Sequence, residues 1–224
     1  MPGCPWAALE PANLRFCEAD VCGWITQPAN TWSNAGFFVA GAWVLVVAAR
    51  EQRPIAGLLG WISILTGLGS IALHATSTLA GQLIDQSTML LESAFFVAVS
   101  LLALAPRLRR FGLPLYAALV LAPLALLLAQ PTLGIALFAS EIVAFAALEL
   151  ALLRRGRRIS YRPLALVIVL FLASYLAWWI DHLRVLCDPD DHVFNLHALW
   201  HLLGAASFPV WYRHFAQREA LRIP

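Results

Sequence analysis

Apolar runs the length of a bilayer-spanning helix fill most of this 224-residue chain and leave it few ways to fold. Seven such segments, each roughly 16–22 residues long, approach the ~20 residues a helix needs to cross about 30 Å of hydrocarbon. They read as Thr31–Ala49, Ile55–Leu73, Ile84–Ala105, Leu113–Ala129, Thr132–Leu153, Pro163–Asp181 and Asn195–Trp211. Hydrocarbon offers the backbone no hydrogen-bond partner, so each run must satisfy its own N–H and C=O groups as a helix. Composition agrees, with 61% hydrophobic and 12% charged residues and a mean hydropathy of +0.74. A soluble domain is nearer half apolar and a quarter charged. The predicted class is an all-α integral membrane protein with seven transmembrane helices.

The charges then set an orientation. All fifteen basic residues are arginine. Arg50, Arg53, Arg107, Arg109, Arg110, Arg154, Arg155, Arg157, Arg158, Arg162, Arg213, Arg218 and Arg222 follow the odd-numbered spans, and only Arg15 and Arg184 fall on the other side. Positive charge collects on the cytoplasmic face, so the N-terminus is predicted outside and the C-terminus in the cytoplasm. Because the arginines lie between spans, the formal net charge of +2 marks no nucleic-acid surface. The N-terminus lacks the basic and then apolar pattern of a cleavable signal peptide. Residues 1–30 therefore read as an outer segment, 31–215 as the seven-helix domain and 216–224 as a cytoplasmic tail. Short loops and tails suggest a bacterial inner membrane, with the polar site toward the periplasm.

Three histidines lie at the outer ends of these spans. His74 closes the second, and His197 and His201 open the seventh. Ionisable residues within membranes usually face the protein interior and serve function. An i, i+4 pair projects from one helix face, and a third imidazole from another helix completes the ligand set of an open zinc site. The alternative is interhelical hydrogen bonding as packing glue. Ser70, one turn before His74, is a candidate for oxyanion stabilisation, or a small packing residue in Gly67-Leu68-Gly69-Ser70. Asp85 is a candidate proton shuttle, or an N-terminal cap on the third span. Glu92, Glu141 and Glu149 lie in apolar runs, Glu149 close to cytoplasmic arginines and Glu92 two turns below Asp85, facing either the cavity or the packing. His182 is a spare ligand, His192 and His214 read as interfacial or solvated, and Asp188, Asp190 and Asp191 as a solvated loop. Cys4, Cys17, Cys22 and Cys187 all fall on the outer side, where disulfides persist, although spacing alone does not fix their pairing.

These blocks together resemble the alkaline ceramidase family, within the wider superfamily of seven-span membrane hydrolases that includes the adiponectin-type receptors. The matching text is Cys17-Glu18, Asn30-Thr31-Trp32-Ser33-Asn34, Gly69-Ser70-x3-His74-Ala75-Thr76 with Gln82-Leu83-Ile84-Asp85, then Trp179-Ile180-Asp181, Cys187 and His197-Ala198-Leu199-Trp200-His201. The resemblance implies zinc on His74, His197 and His201, assistance from Ser70 and Asp85, a Cys17–Cys187 disulfide, and hydrolysis of the ceramide amide to a sphingoid base and a fatty acid. Another acyl lipid (an ester or N-acyl lipid) is the alternative substrate, and a zinc-containing receptor or sensor the alternative class. The resemblance also implies a calcium ion near the N-terminus. Here Arg15 and Gln27 stand where acidic residues are expected, leaving Glu18 and Asp20 as remnants, so calcium binding is predicted to be weak or absent, with Arg15 pairing to Glu18 instead.

Overall fold

The computed structural model describes residues 3–156 and 159–220. Arg157, Arg158 and Arg222, which entered the charge argument, lie outside the described residues. Among the described residues there are eight α-helices and no strand. They are α1 (Pro28–Trp32), α2 (Ala35–Glu51), α3 (Pro54–Thr76), α4 (Leu79–Leu104), α5 (Gly112–Ala129), α6 (Gly134–Arg154), α7 (Arg162–His182) and α8 (Leu196–Ala220). Short 3-10 turns at Pro106–Phe111 and Pro131–Leu133 lead into α5 and α6. Six helical stretches are long and apolar enough to cross a membrane, and the chain is a multi-pass membrane protein. Their outward faces carry residues such as Leu121, Val143, Val169 and Leu172, each at least 58% exposed, a surface that water would not tolerate at this extent. The last helix is 25 residues long but more polar, and is not among those six. It continues through Pro209 to Ala220, beyond the Trp211 boundary read from the sequence.

Two compact units divide the chain within α4, one comprising Met1–Asp85 and Tyr161–Pro224, the other Gln86–Ser160. In the first, α8 packs against α7, α2 and α3, and α2 packs along α3. The α2–α3 contact is close because both helices place glycine there. A Cβ on Gly41 would stand 2.6 Å from the Gly60 carbonyl oxygen, and one on Gly60 would stand 2.8 Å from that of Gly41. Small residues permit this approach between membrane helices, where packing rather than the hydrophobic effect drives association. The N-terminal segment folds back over the end of α3. Ala12 N–H donates to the Ser77 carbonyl, and Asn13 and Leu14 N–H donate to Gln82 Oε1. Ala12, Phe16 and Leu73 form a small apolar core beneath it, with Leu14 at its edge.

In the second unit, apolar helices carry buried carboxyl groups that meet hydroxyls. Ser93 Oγ donates to Glu141, and Ser100 Oγ donates to Glu149 at 2.6 Å. Phe96 packs on Phe145 beside them, and the Tyr116 hydroxyl donates to the Leu91 carbonyl. Back in the first unit, the acidic loop before α8 is built rather than merely solvated. The Asp191 carboxylate accepts from the amides of Phe194 and Val193, which hold its pKa below the usual carboxylate range. In the first unit His214, read as interfacial or solvated, is fully buried and accepts a hydrogen bond from Arg218 at 3.1 Å.

Candidate metal centre

His74 sits on the last turn of α3, where the helix stops at Ser77 in a left-handed conformation, φ 51°. A helix end leaves carbonyls without intrahelical partners, and here the N-terminal segment supplies them. The His74 carbonyl accepts from Gln27 N–H at 3.0 Å and from Thr26 Oγ1 at 2.9 Å. His197 and His201 lie on the first turns of α8, which Asn195 caps by accepting from Ala198 N–H at 2.8 Å.

The three imidazoles converge. His74 Nε2 is 3.2 Å from His197 Nε2, and one nitrogen from each of the three rings falls within 4.8 Å of the others. All three side chains are buried, at 1%, 2% and 3% exposure. Hydrogen bonds on the far side of two rings fix their tautomers. The Ser33 hydroxyl donates to the Asn30 carbonyl, so at 2.8 Å it accepts from His201 Nδ1–H. Gln27 Nε2 donates to Asp20, which orients its amide so that Oε1 accepts from His74 Nδ1–H at 2.7 Å. Both rings therefore turn a bare Nε2 inward, the arrangement typical of metal-ligating histidines. Two nitrogens bound to one zinc at about 2.0–2.1 Å stand about 3.3 Å apart in a tetrahedral arrangement. The 3.2 Å between the Nε2 atoms of His74 and His197 meets that figure. His197 Nδ1 is buried with no hydrogen-bond partner, so this ring's polar contact is made by Nε2 on the side that faces His74. By donor chemistry, and with one nitrogen of each ring within 4.8 Å of the others, the residues could hold a metal ion such as zinc.

Ser70 belongs to the same group, its hydroxyl 3.2 Å from His201 Nε2. Asp85 lies on the second turn of α4, half-buried, and is not one of the groups in the three-histidine cluster. His182 also stands apart. It stacks on Trp178 with ring centroids 5.0 Å apart, and its Nδ1 reaches the Arg15 carbonyl.

Disulfides join Cys17 to Cys187 and Cys4 to Cys22. The first fixes the N-terminal segment beside the centre, and Cys17 N–H donates to the buried Asp181 carboxylate at 3.0 Å. Phe16 is thereby held against His197 and His74, with ring centroids at 4.1 and 5.0 Å. The Glu18 carboxylate meets His192 at 3.0 Å, along with two α1 amides, and not Arg15. His192, read as interfacial or solvated, therefore has a structural partner. Sequence reasoning did not find Gln27, Ser33, Asn195 or Phe16 as supports of the site. Only Gln27 and the Asn-Thr-Trp-Ser block gave a signal, through their place in the resemblance.

The chain is similar to mouse alkaline ceramidase 1, with 25% identity over 216 residues that cover 90% of this chain and 78% of the mouse protein. The ceramidase family model matches residues 9–221, a stretch that takes in all three histidines, Ser70, Asp85 and the Cys17–Cys187 pair. The chain belongs to the ceramidase family.

Proposed function

We propose that this chain is a zinc-dependent lipid amide hydrolase working within the bilayer, cleaving ceramide to a sphingoid base and a fatty acid. The observation that carries the reading is the convergence of three buried imidazoles, two of them with Nε2 turned inward by hydrogen bonds to Gln27 and Ser33. Family membership and the similarity to mouse alkaline ceramidase 1 support the substrate class.

His74, His197 and His201 would hold the zinc, which when bound would supply Lewis-acid polarisation of the scissile carbonyl and lower the pKa of a water molecule. The chain's own residues do the rest. Ser70 Oγ, beside His201 Nε2, donates a hydrogen bond to the oxygen that gains charge as the amide carbon becomes tetrahedral. Asp85 takes the proton from the attacking water and passes it to the leaving amine. Phe16 covers the two rings and keeps bulk water from their outer side. The described cluster offers three protein ligands, which favours a catalytic over a structural zinc, since structural sites normally have four.

The topology we propose has seven spans, with α8 as the last, the N-terminus outside and the C-terminus cytoplasmic. The centre would then open toward the periplasmic side of a bacterial inner membrane. Mass spectrometry of ceramide, an N-acyl amino lipid and an acyl ester incubated with detergent-purified protein tests the substrate. Ceramide turnover that a zinc chelator stops and added zinc restores is the expected result. Turnover of the ester alone would reassign the substrate.

A further inference from the structure

Glu18 is 2% exposed, and each of its carboxylate oxygens already serves two donors. Oε1 accepts from Ala29 N–H at 2.8 Å and from His192 Nδ1 at 3.0 Å. Oε2 accepts from Asn30 N–H at 2.9 Å and from Asn195 Nδ2 at 3.4 Å. Two of these connections continue to the imidazoles. The Asn30 carbonyl accepts from Ser33, whose oxygen holds His201 Nδ1. Asn195 caps α8, the helix that presents His197 and His201. One buried carboxylate thus fixes the starts of both helices that meet at His201.

The calcium that the resemblance implies does not fit these residues. Calcium takes six to eight oxygen ligands at about 2.3–2.6 Å. Both Glu18 oxygens are occupied, and Asp20 Oδ1 accepts from Gln27 Nε2 at 2.9 Å and from Ser77 Oγ at 2.7 Å. Gln27 Oε1 is turned to His74 and Asn30. Arg15 and Arg184 also line the cavity of about 120 Å³ that Glu18 and Asp20 face, which adds positive charge where a cation would have to sit.

We propose that a hydrogen-bond node centred on Glu18 stands in place of a bound cation in this chain. Glu18 is a positioning residue for His201 and α8, and the zinc centre it supports is independent of calcium. This inference rests on the metal-centre reading above.

The test uses the full chain in detergent, with zinc affinity measured by chelator competition and the visible spectrum recorded on cobalt-substituted protein. Glu18→Gln keeps the side-chain shape but turns one oxygen into a donor facing donors. Zinc affinity is expected to fall about 10–100-fold, the usual range for loss of an outer-shell partner, with a changed cobalt spectrum and unchanged helical content. Asn195→Ser keeps a capping oxygen for α8 but is too short to reach Glu18, and shifts affinity and spectrum in the same direction by less. It decides the matter if Glu18→Gln does not fold. Calcium added to millimolar concentration leaves the wild-type zinc affinity and Tm unchanged. Wild-type zinc affinity and cobalt spectrum in Glu18→Gln, or in Asn195→Ser should that variant have to decide, would overturn the positioning role, and calcium-dependent zinc affinity would overturn the replacement of the cation. Wild-type protein that takes up no zinc would overturn the metal-centre reading and this inference with it.

Discussion

The Nε2 atoms of His74 and His197 lie 3.2 Å apart although 123 positions separate the two residues in the chain. Nothing local brings them together. The packing of α3 against α8, and the N-terminal segment that covers both helix ends, do so. Two inward-facing nitrogens at that spacing share either one proton or one cation, and the third imidazole favours the cation.

Ser70→Ala and Asp85→Asn should separate chemistry from metal binding. Loss of one oxyanion donor typically costs about 10²–10³ in kcat, and loss of a positioned acid–base group about 10²–10⁴. Both variants should keep wild-type zinc content by elemental analysis. A Ser70→Ala protein without zinc would move Ser70 into the ligand-support group.

Gln27→Leu and Ser33→Ala each remove the hydrogen-bond partner of a ligand Nδ1. Zinc affinity should weaken about 10–100-fold in each, read by competition with a coloured chelator. The two effects should be roughly equal, because each frees one tautomer.

Gly41→Ala places a methyl group 2.6 Å from the Gly60 carbonyl oxygen, which backbone must move to admit. Overpacking of this kind typically costs about 1–3 kcal/mol. A lower denaturation midpoint in detergent checks it, and Gly60→Ala should match. Unchanged midpoints in both would mean that α2 and α3 can part there cheaply.

Cys17→Ser opens the bridge that holds Phe16 over the imidazoles. Native disulfides are typically worth about 2–4 kcal/mol, so the melting temperature should drop under non-reducing conditions. Zinc should also exchange faster, since the cover over His197 loosens. Cys4→Ser, whose bridge closes only the outer part of the N-terminal segment, should leave exchange unchanged.

What the sequence made legible follows from how strongly each residue type is constrained. A histidine in an apolar run has few reasons to be there, so His74, His197 and His201 stood out without coordinates. Span length is equally constrained, and helix limits agree to within a few residues except where α4 starts at Leu79 rather than Ile84 and where α8 runs on to Ala220. Gln27, Ser33 and Asn195 escaped because amides and hydroxyls near helix ends are common caps, and their roles depend on partners tens to hundreds of positions away. The expected Arg15–Glu18 pair failed for a related reason. Glu18 finds better partners in two helix N-terminal amides and His192 than in an arginine. The break between α1 and α2 at Ser33–Asn34 was also invisible in a hydrophobicity profile, yet it is the turn that aims the Ser33 hydroxyl at His201.

The most direct measurement is the zinc content of the purified wild-type chain beside His201→Ala, with ceramide hydrolysis assayed on the same samples. About one zinc per chain and turnover in the wild type, both lost in the variant, is the predicted result. Stoichiometric zinc retained in His201→Ala, or ceramide hydrolysis by wild-type protein stripped of metal, would contradict the account.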